Sequence, residues 1–300
     1  MSNKNKYLPI LIVVLLVGAG VWYYTYCQEP AQPIQQAQSP GPAAANGSSS
    51  PAPSPSASSP QENPYVLKIL GSSKNLSEKQ KTSMSRWREQ AAEMARNRPE
   101  DIVLNGSAGN RSVSFTFDDG PDGEITPKIL EILQKEGVKA TFFVTGQQCS
   151  KFPQQVQKIN ASGHLVLSHT FSHRQLDMAS RETVDQEITM TDKAIDKLIG
   201  RIPQGVRPPY GAVNQMVLDA LDDKGKLTIL WSIDTLDWAG DEAEIVASNV
   251  LDNVRPGDII LMHSISGRNN TVKALPMMIK GLREKGYAMV RIDELLQREL

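Results

Sequence analysis

The side chains in this sequence that could do chemistry are concentrated in two short segments. Asp118 and Asp119 are adjacent, and His169 and His173 stand four residues apart. A third histidine, His263, follows later in a chain that has only 4 histidines among 300 residues. Imidazole nitrogens and carboxylate oxygens bind divalent metals, and a second carboxylate can accept a proton from water. The pattern is therefore typical of a metal-dependent hydrolase.

Each of these features also has a purely structural interpretation. Aspartate, glycine and proline dominate turns, so residues 118–123 could form a turn and nothing more. His169 and His173 could pack together on one helix face, and His263 could be a hydrogen-bonded core residue. Their joint occurrence in one chain favours a functional site.

Strand-like and helical patterns alternate from residue 102 onward. The predicted strands are residues 113–117, 140–145, 164–167, 205–207, 227–233, 258–262 and 288–292. The predicted helices between them are residues 126–136, 153–162, 181–199, 214–224, 242–254 and 271–285. This alternation predicts an α/β fold of about seven β/α repeats, in which a parallel sheet closes into a barrel covered by helices.

Polar residues follow five of the predicted strands. The carboxyl ends of the strands form one face of a β/α barrel, so residues far apart in sequence meet there. We therefore expect one site to contain Asp118 and Asp119, His169 and His173, residues 207–210, residues 234–238, and His263.

Five ordered segments carry a family resemblance. Residues 116–121, 169–173, 207–211, 234–238 and 261–263 resemble the five motifs of the polysaccharide deacetylases of carbohydrate esterase family 4, also called the NodB homology domain. The likeness covers roughly residues 113–300. It implies a distorted (β/α) barrel, in agreement with the repeat pattern.

The resemblance implies a site for one divalent metal. The implied ligands are Asp119, His169 and His173. Zn²⁺ is the expected metal because this donor set suits it and leaves positions for water and substrate, with Co²⁺ or Ni²⁺ as alternatives.

The resemblance also assigns the proton-transfer residues. Asp118 is the expected general base, paired with Arg207, and His263 is the expected general acid, oriented by Asp237. The backbone N–H of Tyr210 is expected to stabilise the oxyanion that forms during the reaction.

The expected substrate contacts come from three apolar residues. Trp238 and Leu261 match the family positions that form a pocket for the acetyl methyl group, and Pro209 is expected to contact the substrate as well. The implied reaction is hydrolysis of an N-acetyl group to acetate and a free amino sugar.

The N-terminal region predicts a membrane anchor. Residues 7–24 form an uncharged apolar run of 18 residues, long enough at ~1.5 Å per residue to cross most of a bilayer core of ~30 Å. Lys4 and Lys6 precede this run, which favours a single-pass protein of the cell membrane with its catalytic domain extracellular. The alternative is a signal peptide cleaved near residues 17–19, which would yield a secreted protein.

The domain prediction has four parts. Residues 1–27 are the cytoplasmic stub and anchor, residues 28–64 a disordered linker rich in proline, serine and alanine, residues 65–110 a helical extension, and residues 111–300 the catalytic domain. Within the extension, Ser77 and Gln80 predict a capping box that opens a helix ending near Asn97. We interpret the basic excess of this helix as a solvated face, and its role is not evident from the sequence.

Charge and context narrow the substrate. A net charge of −1 argues against a nucleic-acid partner, and no protein partner is implied. An anchored extracellular domain suits cell-wall peptidoglycan, with N-acetylglucosamine as the expected sugar. The alternatives are N-acetylmuramic acid, poly-N-acetylglucosamine, chitooligosaccharides or acetylated xylan, a glycan-binding protein without activity, and a metal-dependent phosphoesterase.

Overall fold

The computed structural model describes residues 65–300 of the chain. The predicted anchor, residues 1–27, and the predicted linker, residues 28–64, lie outside the described residues. Between residues 65 and 300, the helices are all too short or too polar to span a bilayer.

Parallel strands build the centre of the described region. They are β1 (Ile102–Val103), β2 (Ser112–Asp118), β3 (Thr141–Val144), β4 (Leu165–Ser168), β5 (Gly205–Val206), β6 (Leu227–Ile229), β7 (Ile233–Asp234), β8 (Ile259–His263) and β9 (Ala288–Met289). Eight of them form a curled sheet in the order β1-β6-β5-β4-β3-β2-β8-β7, and β9 pairs with the start of β2. The sheet is a half-barrel, which is consistent with the predicted distorted (β/α) barrel.

Helices alternate with these strands. They are α1 (Glu78–Asn97), α2 (Ile125–Lys135), α3 (Gly146–Lys151), α4 (Pro153–Ala161), α5 (Arg181–Ile199), α6 (Gln215–Asp222), α7 (Ala243–Leu251), α8 (Asn269–Glu284) and α9 (Ile292–Leu296). The helices predicted from sequence are confirmed to within three residues at their ends. The short helices α3 and α9 were not predicted.

Local signals explain why several helices begin and end where they do. The Ser77 side chain accepts a hydrogen bond from the Gln80 backbone N–H, and the Gln80 side chain accepts one from the Ser77 N–H. This is the predicted capping box. Helix α5 begins after Ser180, whose side chain caps it, and ends at Gly200, whose φ of 69° suits glycine because it has no Cβ.

The predicted strand 227–233 is wrong, because the structure divides it into β6 and β7. The Leu230 N–H donates to Val103 of β1, whereas the Ser232 N–H donates to Ile259 of β8, so the chain changes neighbours between them. At the same point the Arg207 guanidinium donates hydrogen bonds to the carbonyls of Ile229 and Leu230. A continuous strand would need those carbonyls for hydrogen bonds to its neighbouring strands. The strand predicted at residues 288–292 is shorter in the structure, where β9 ends at Met289.

Apolar clusters lie on both faces of the sheet. Phe115 of β2 and Leu275 of α8 belong to one cluster, and both are fully buried. Leu167 of β4 and Ile229 of β6 belong to a second cluster that also contains Ala91 of α1. The helices thus help to bury both faces of the parallel sheet, as such sheets require.

The predicted extension, residues 65–110, packs against this same sheet. Its strand β1 pairs in parallel with β6. Its residue Leu70 bridges to Ile233 at the other edge of the sheet, where its N–H donates to Ser232 and its carbonyl accepts from Asp234. The described part of the extension therefore belongs to one compact unit with the sheet.

Candidate active site

Strand β2 delivers the two adjacent carboxylates. Asp118 is its last residue, and Asp119 follows in a left-handed conformation with a φ of 70°. Aspartate tolerates this conformation better than most residues do. The turn lets two neighbouring side chains meet different partners, since Asp118 contacts Arg207 and Asp119 contacts His169 and His173.

Asp119, His169 and His173 form a compact group of potential metal ligands. The Asp119 Oδ1 atom lies 3.3 Å from His169 Nε2 and 3.0 Å from His173 Nε2. The contributing atoms of all three residues lie within 4.8 Å of one another. This is the grouping that the sequence predicted.

The tautomer of His169 supports a cation at this point. Its Nδ1 lies 2.7 Å from the Arg207 carbonyl oxygen, which can only accept, so Nδ1 carries a proton. The Nε2 atom, which faces Asp119, is therefore the nitrogen left to bind a metal through its lone pair. The buried Oδ1 atom of Asp119 has no hydrogen-bond partner among residues 65–300. Lone pairs facing one another without a proton between them fit a bound cation.

The loop after β4 carries both histidines and contains backbone strain. Thr170 and His173 have φ values of 66° and 61°. Glu187 of α5 holds this loop, because its Oε2 atom accepts from the backbone N–H groups of Phe171 and Ser172, each at 2.8 Å, and its Oε1 atom accepts from the Ser172 hydroxyl at 2.6 Å. Three hydrogen bonds to one carboxylate fix the loop.

Sequence reasoning missed Glu187, although the sequence contained a signal. The buried face of α5 includes Val184, Ile188 and Thr191, and Glu187 lies on that same face. A carboxylate on the apolar side of an amphipathic helix needs hydrogen-bond partners from another element.

Arg207 lies directly behind Asp118. It follows β5, its side chain is fully buried, and its Nη1 atom donates to Asp118 Oδ1 at 2.7 Å and to the Thr116 hydroxyl at 2.8 Å. The remaining donors bond the carbonyls of Ile229 and Leu230 at 3.1 and 2.9 Å. Burial lowers the pKa of Arg207, and the Asp118 charge opposes that change. The predicted pair is thus in contact.

His263 and Asp237 form a second pair beside Asp118. Asp118 and His263 are register partners at the ends of β2 and β8. His263 Nδ1 lies 2.7 Å from Asp237 Oδ1. The backbone N–H of His263 and the Thr271 hydroxyl both donate to Asp237 Oδ2. Burial lowers the pKa of His263, but the charge and hydrogen bond of Asp237 outweigh burial and raise it to about 9.

Tyr210, the predicted oxyanion residue, and the predicted substrate residues lie on the loops and strand that also carry Arg207, Asp237 and His263. Tyr210 has a φ of 61°, is half-exposed, and places its ring edge-on to His173 with centroids 4.9 Å apart. Trp238 is held at the other side, since its Nε1–H donates to Asp234 Oδ1 at 3.3 Å. Asp234 in turn pairs in register with Leu261 of β8. Pro209, in the loop before Tyr210, is buried.

Comparison with known proteins decides the family. The family model for polysaccharide deacetylase matches residues 105–228. The chain is 38% identical over 197 residues to a peptidoglycan-N-acetylglucosamine deacetylase of Bacillus cereus, a match that covers 65% of this chain and 72% of that protein. The chain belongs to the polysaccharide deacetylase family. A chitooligosaccharide deacetylase of Azorhizobium caulinodans is 32% identical, over 59% of this chain and 91% of its own length.

Solved structures show the same relationship. The crystal structure of the Bc1960 peptidoglycan N-acetylglucosamine deacetylase, in complex with a naphthalenyl N-hydroxybenzamide, aligns with a TM-score of 0.65 and 36% identity. The alignment covers 66% of this chain and 94% of that one. The part of this polysaccharide deacetylase that aligns therefore corresponds to nearly all of that crystallised chain.

The polysaccharide deacetylase site gathers side chains from five strand ends, as the repeat pattern predicted. They lie at the ends of β2 and β8 and directly after β4, β5 and β7. Its three potential ligands, Asp119, His169 and His173, lie between the Asp118–Arg207 pair and the loop of Tyr210. A carboxylate that can accept a proton and an imidazole that can donate one, next to a cation-binding group, can hydrolyse an amide.

Proposed function

We propose that this polysaccharide deacetylase hydrolyses the N-acetyl group of N-acetylglucosamine in cell-wall peptidoglycan, releasing acetate. One observation carries the mechanism. Asp118 has one oxygen held by Arg207 and the other, Oδ2, 3.8 Å from the His169 Nε2 atom of the ligand group. The base therefore faces the place where the acetyl group must be attacked.

The proposal includes one divalent metal. Asp119, His169 and His173 would hold it, and Zn²⁺ suits the two imidazoles and one carboxylate, with Co²⁺ or Ni²⁺ as alternatives. When bound, such a cation polarises a carbonyl and makes water more acidic.

Asp118 supplies the base. Its carboxylate takes a proton from the attacking water as the water oxygen forms a bond to the acetyl carbon. Arg207 orients the Asp118 carboxylate through the 2.7 Å hydrogen bond. The backbone N–H of Tyr210 donates to the carbonyl oxygen as negative charge develops on it.

His263 supplies the acid. The carbon–nitrogen bond breaks only if the departing nitrogen receives a proton, because an amide anion is a very poor leaving group. His263 is charged at neutral pH, since Asp237 raises its pKa to about 9, so it can donate that proton. The products are acetate and the free amine of the sugar.

The acetyl methyl group requires an apolar pocket. Leu261 is buried, and Trp238 is fixed by its hydrogen bond to Asp234. We place the methyl group against Trp238 and Leu261, with Pro209 on the side of the Tyr210 loop.

The peptidoglycan substrate and the cellular location are part of the proposal. The named activity of the Bacillus cereus relative supports peptidoglycan N-acetylglucosamine. The named activity of the Azorhizobium caulinodans relative supports chitooligosaccharides as the second candidate. We also propose that residues 7–24 anchor the chain in the cell membrane with residues 65–300 outside, where the wall polymer lies.

The direct test measures acetate release by the zinc-loaded protein. Peptidoglycan, chitooligosaccharides and N-acetylmuramic acid glycans are offered separately, and mass spectrometry of the treated glycans identifies which sugar lost its acetyl group. We expect loss from N-acetylglucosamine in peptidoglycan, at a rate about 10²- to 10⁴-fold lower with Asp118→Asn. Binding of glycan without acetate from any substrate would instead indicate a binding protein.

A further inference from the structure

Helix α1, whose role the sequence did not reveal, touches the loop that carries Tyr210. Trp87 of α1 is half-buried, and its indole Nε1–H donates to the Gly211 carbonyl oxygen at 3.1 Å. The contact is close, since a Cβ on Gly211 would lie 2.4 Å from Cζ2 of Trp87. The position next to Tyr210 therefore admits only glycine while the indole is there.

The loop at Tyr210 adopts a conformation that its own residues do not favour. Tyr210 and Gly211 are consecutive left-handed residues, with φ values of 61° and 62°. Within the loop, the Gly211 N–H donates to the Pro208 carbonyl and the Ala212 N–H donates to the Pro209 carbonyl, each at 3.0 Å. A non-glycine residue in this conformation persists only where the surroundings hold it.

Two planar peptide units connect Trp87 to the Tyr210 N–H. The Gly211 carbonyl and the Ala212 N–H belong to one rigid plane, because the peptide bond does not rotate freely. The Pro209 carbonyl and the Tyr210 N–H belong to the other. Trp87 fixes the carbonyl of the first plane, and the N–H of that plane fixes the carbonyl of the second.

We infer that Trp87 is a positioning residue that sets the direction of the Tyr210 backbone N–H. The inference rests on the proposed function, in which this N–H stabilises the developing oxyanion. Trp87 does not touch the reacting atoms. It acts through two peptide planes, and helix α1 thereby contributes to turnover as well as to packing.

The packing of α1 indicates that the Trp87 side chain is held rigidly. The ring of Trp87 lies 5.1 Å from the ring of Trp231, and Ala91, one turn further along α1, is fully buried. Because the indole is held from behind, its N–H is aimed at Gly211 before substrate arrives. Preorganised donors of this kind stabilise a transition state most strongly.

The test removes the indole N–H while keeping the ring. Trp87→Phe is the simple variant, and replacement of Trp87 by β-(3-benzothienyl)alanine is the isosteric one, in which sulfur replaces N–H. Met94→Ala is the matched control, because Met94 packs from the same helix into the same apolar cluster without a bond to the loop. The full zinc-loaded chain is assayed for kcat, KM, metal content and Tm.

Losing a whole oxyanion donor lowers kcat about 10²- to 10³-fold, so a misdirected donor should lower it about tenfold. We expect that decrease for both Trp87 variants, with KM and metal content within about twofold of wild type. Met94→Ala should lower Tm and keep its kcat. An unchanged kcat in the isosteric variant, or an equal fall in Met94→Ala, would overturn the inference.

Amide hydrogen exchange separates this inference from the proposed function. Exchange at the Ala212 N–H should become faster in both Trp87 variants and stay at the wild-type rate in Met94→Ala. If wild-type protein releases no acetate, the proposed function fails. Faster exchange at the Ala212 N–H in the Trp87 variants would still show that Trp87 fixes the loop through its hydrogen bond to Gly211. An unchanged exchange rate at the Ala212 N–H would show that Trp87 does not fix the loop, even if every variant is active.

Discussion

Arg207 and Asp118 form a buried ion pair in which Nη1 of the guanidinium lies 2.7 Å from the carboxylate Oδ1. Arg207 also donates to the Thr116 hydroxyl and to the carbonyls of Ile229 and Leu230. The Arg207 side chain therefore donates a hydrogen bond to Asp118, the proposed base, and also connects β2 to the end of β6. The proposed catalytic pair is thus also part of the architecture of the sheet.

Removing Arg207 should destabilise the fold as well as stop turnover. Arg207→Met leaves Asp118 and two carbonyls buried without their donor, and breaking such a buried pair reduces the free energy of unfolding by about 3–5 kcal/mol. Urea denaturation followed by circular dichroism measures this. The double variant Arg207→Met, Asp118→Asn removes the unpaired charge and should recover part of the loss. A double variant no more stable than Arg207→Met contradicts this account.

Replacing Asp118 should slow turnover but keep the metal, whereas replacing His169 should remove the metal. Asp118→Asn keeps the shape of the site and the ligand group, so it should bind metal normally while turnover falls about 10²- to 10⁴-fold. His169→Ala removes a ligand and should lose the metal itself. Metal content by mass spectrometry and acetate release distinguish the two. Equal loss of metal from both variants would show that the roles are assigned wrongly.

The rate should fall at alkaline pH as His263 loses its proton. Burial lowers the pKa of His263 and Asp237 raises it to about 9, so the acid is protonated below that pH and lost above it. In Asp237→Asn the lowering by burial remains and the largest raising charge is gone, although Asp118 and Asp119 still raise the pKa of His263. The alkaline limb of kcat should then move from near pH 9 to lower pH. A limb that stays in place would assign the acid to another group.

The same pair makes a prediction for stability. A histidine whose pKa is raised on folding stabilises the native state below its unfolded pKa, and this stabilisation is lost as pH rises through the folded pKa. The free energy of unfolding of the metal-free protein should therefore fall between pH 6.5 and about 9. Asp237→Asn should make this decline smaller, which urea titrations at several pH values can follow.

Much of the fold could be predicted because its signals are local. Helix α5 was predicted with both ends correct, since Ser180 caps its start and Gly200 ends it. The convergence of the polar residues followed from a topological rule, because the ends of parallel strands share one face. Neither step needed knowledge of contacts between distant residues.

The features that sequence reasoning missed depend on such distant contacts. The division of strand 227–233 comes from hydrogen bonds donated by Arg207, a residue over twenty positions away. Asp119, Thr170, His173 and Tyr210 all adopt left-handed conformations, yet none is glycine, so no local pattern indicated them. Strained non-glycine residues cluster at functional sites and are held by their surroundings.

Glu187 provides a prediction about metal affinity, because it holds the loop between the two histidines. Its carboxylate accepts three hydrogen bonds from Phe171 and Ser172. Glu187→Gln keeps the size of the side chain but weakens those bonds, since an amide offers one accepting oxygen in place of two and carries no charge. Outer partners of metal ligands typically account for about 10- to 100-fold in affinity, and we expect a loss near the lower figure.

The matched control is Glu182→Gln on the same helix, whose carboxylate is exposed and, among residues 65–300, bonds only to Gln186. Zinc titration by calorimetry should show weaker binding for Glu187→Gln and unchanged binding for Glu182→Gln. Hydrogen exchange at the Phe171 and Ser172 amides should become faster in Glu187→Gln alone. Faster exchange with wild-type zinc affinity would mean that the histidines reach their positions without the loop, and Glu187 would then stabilise only the fold.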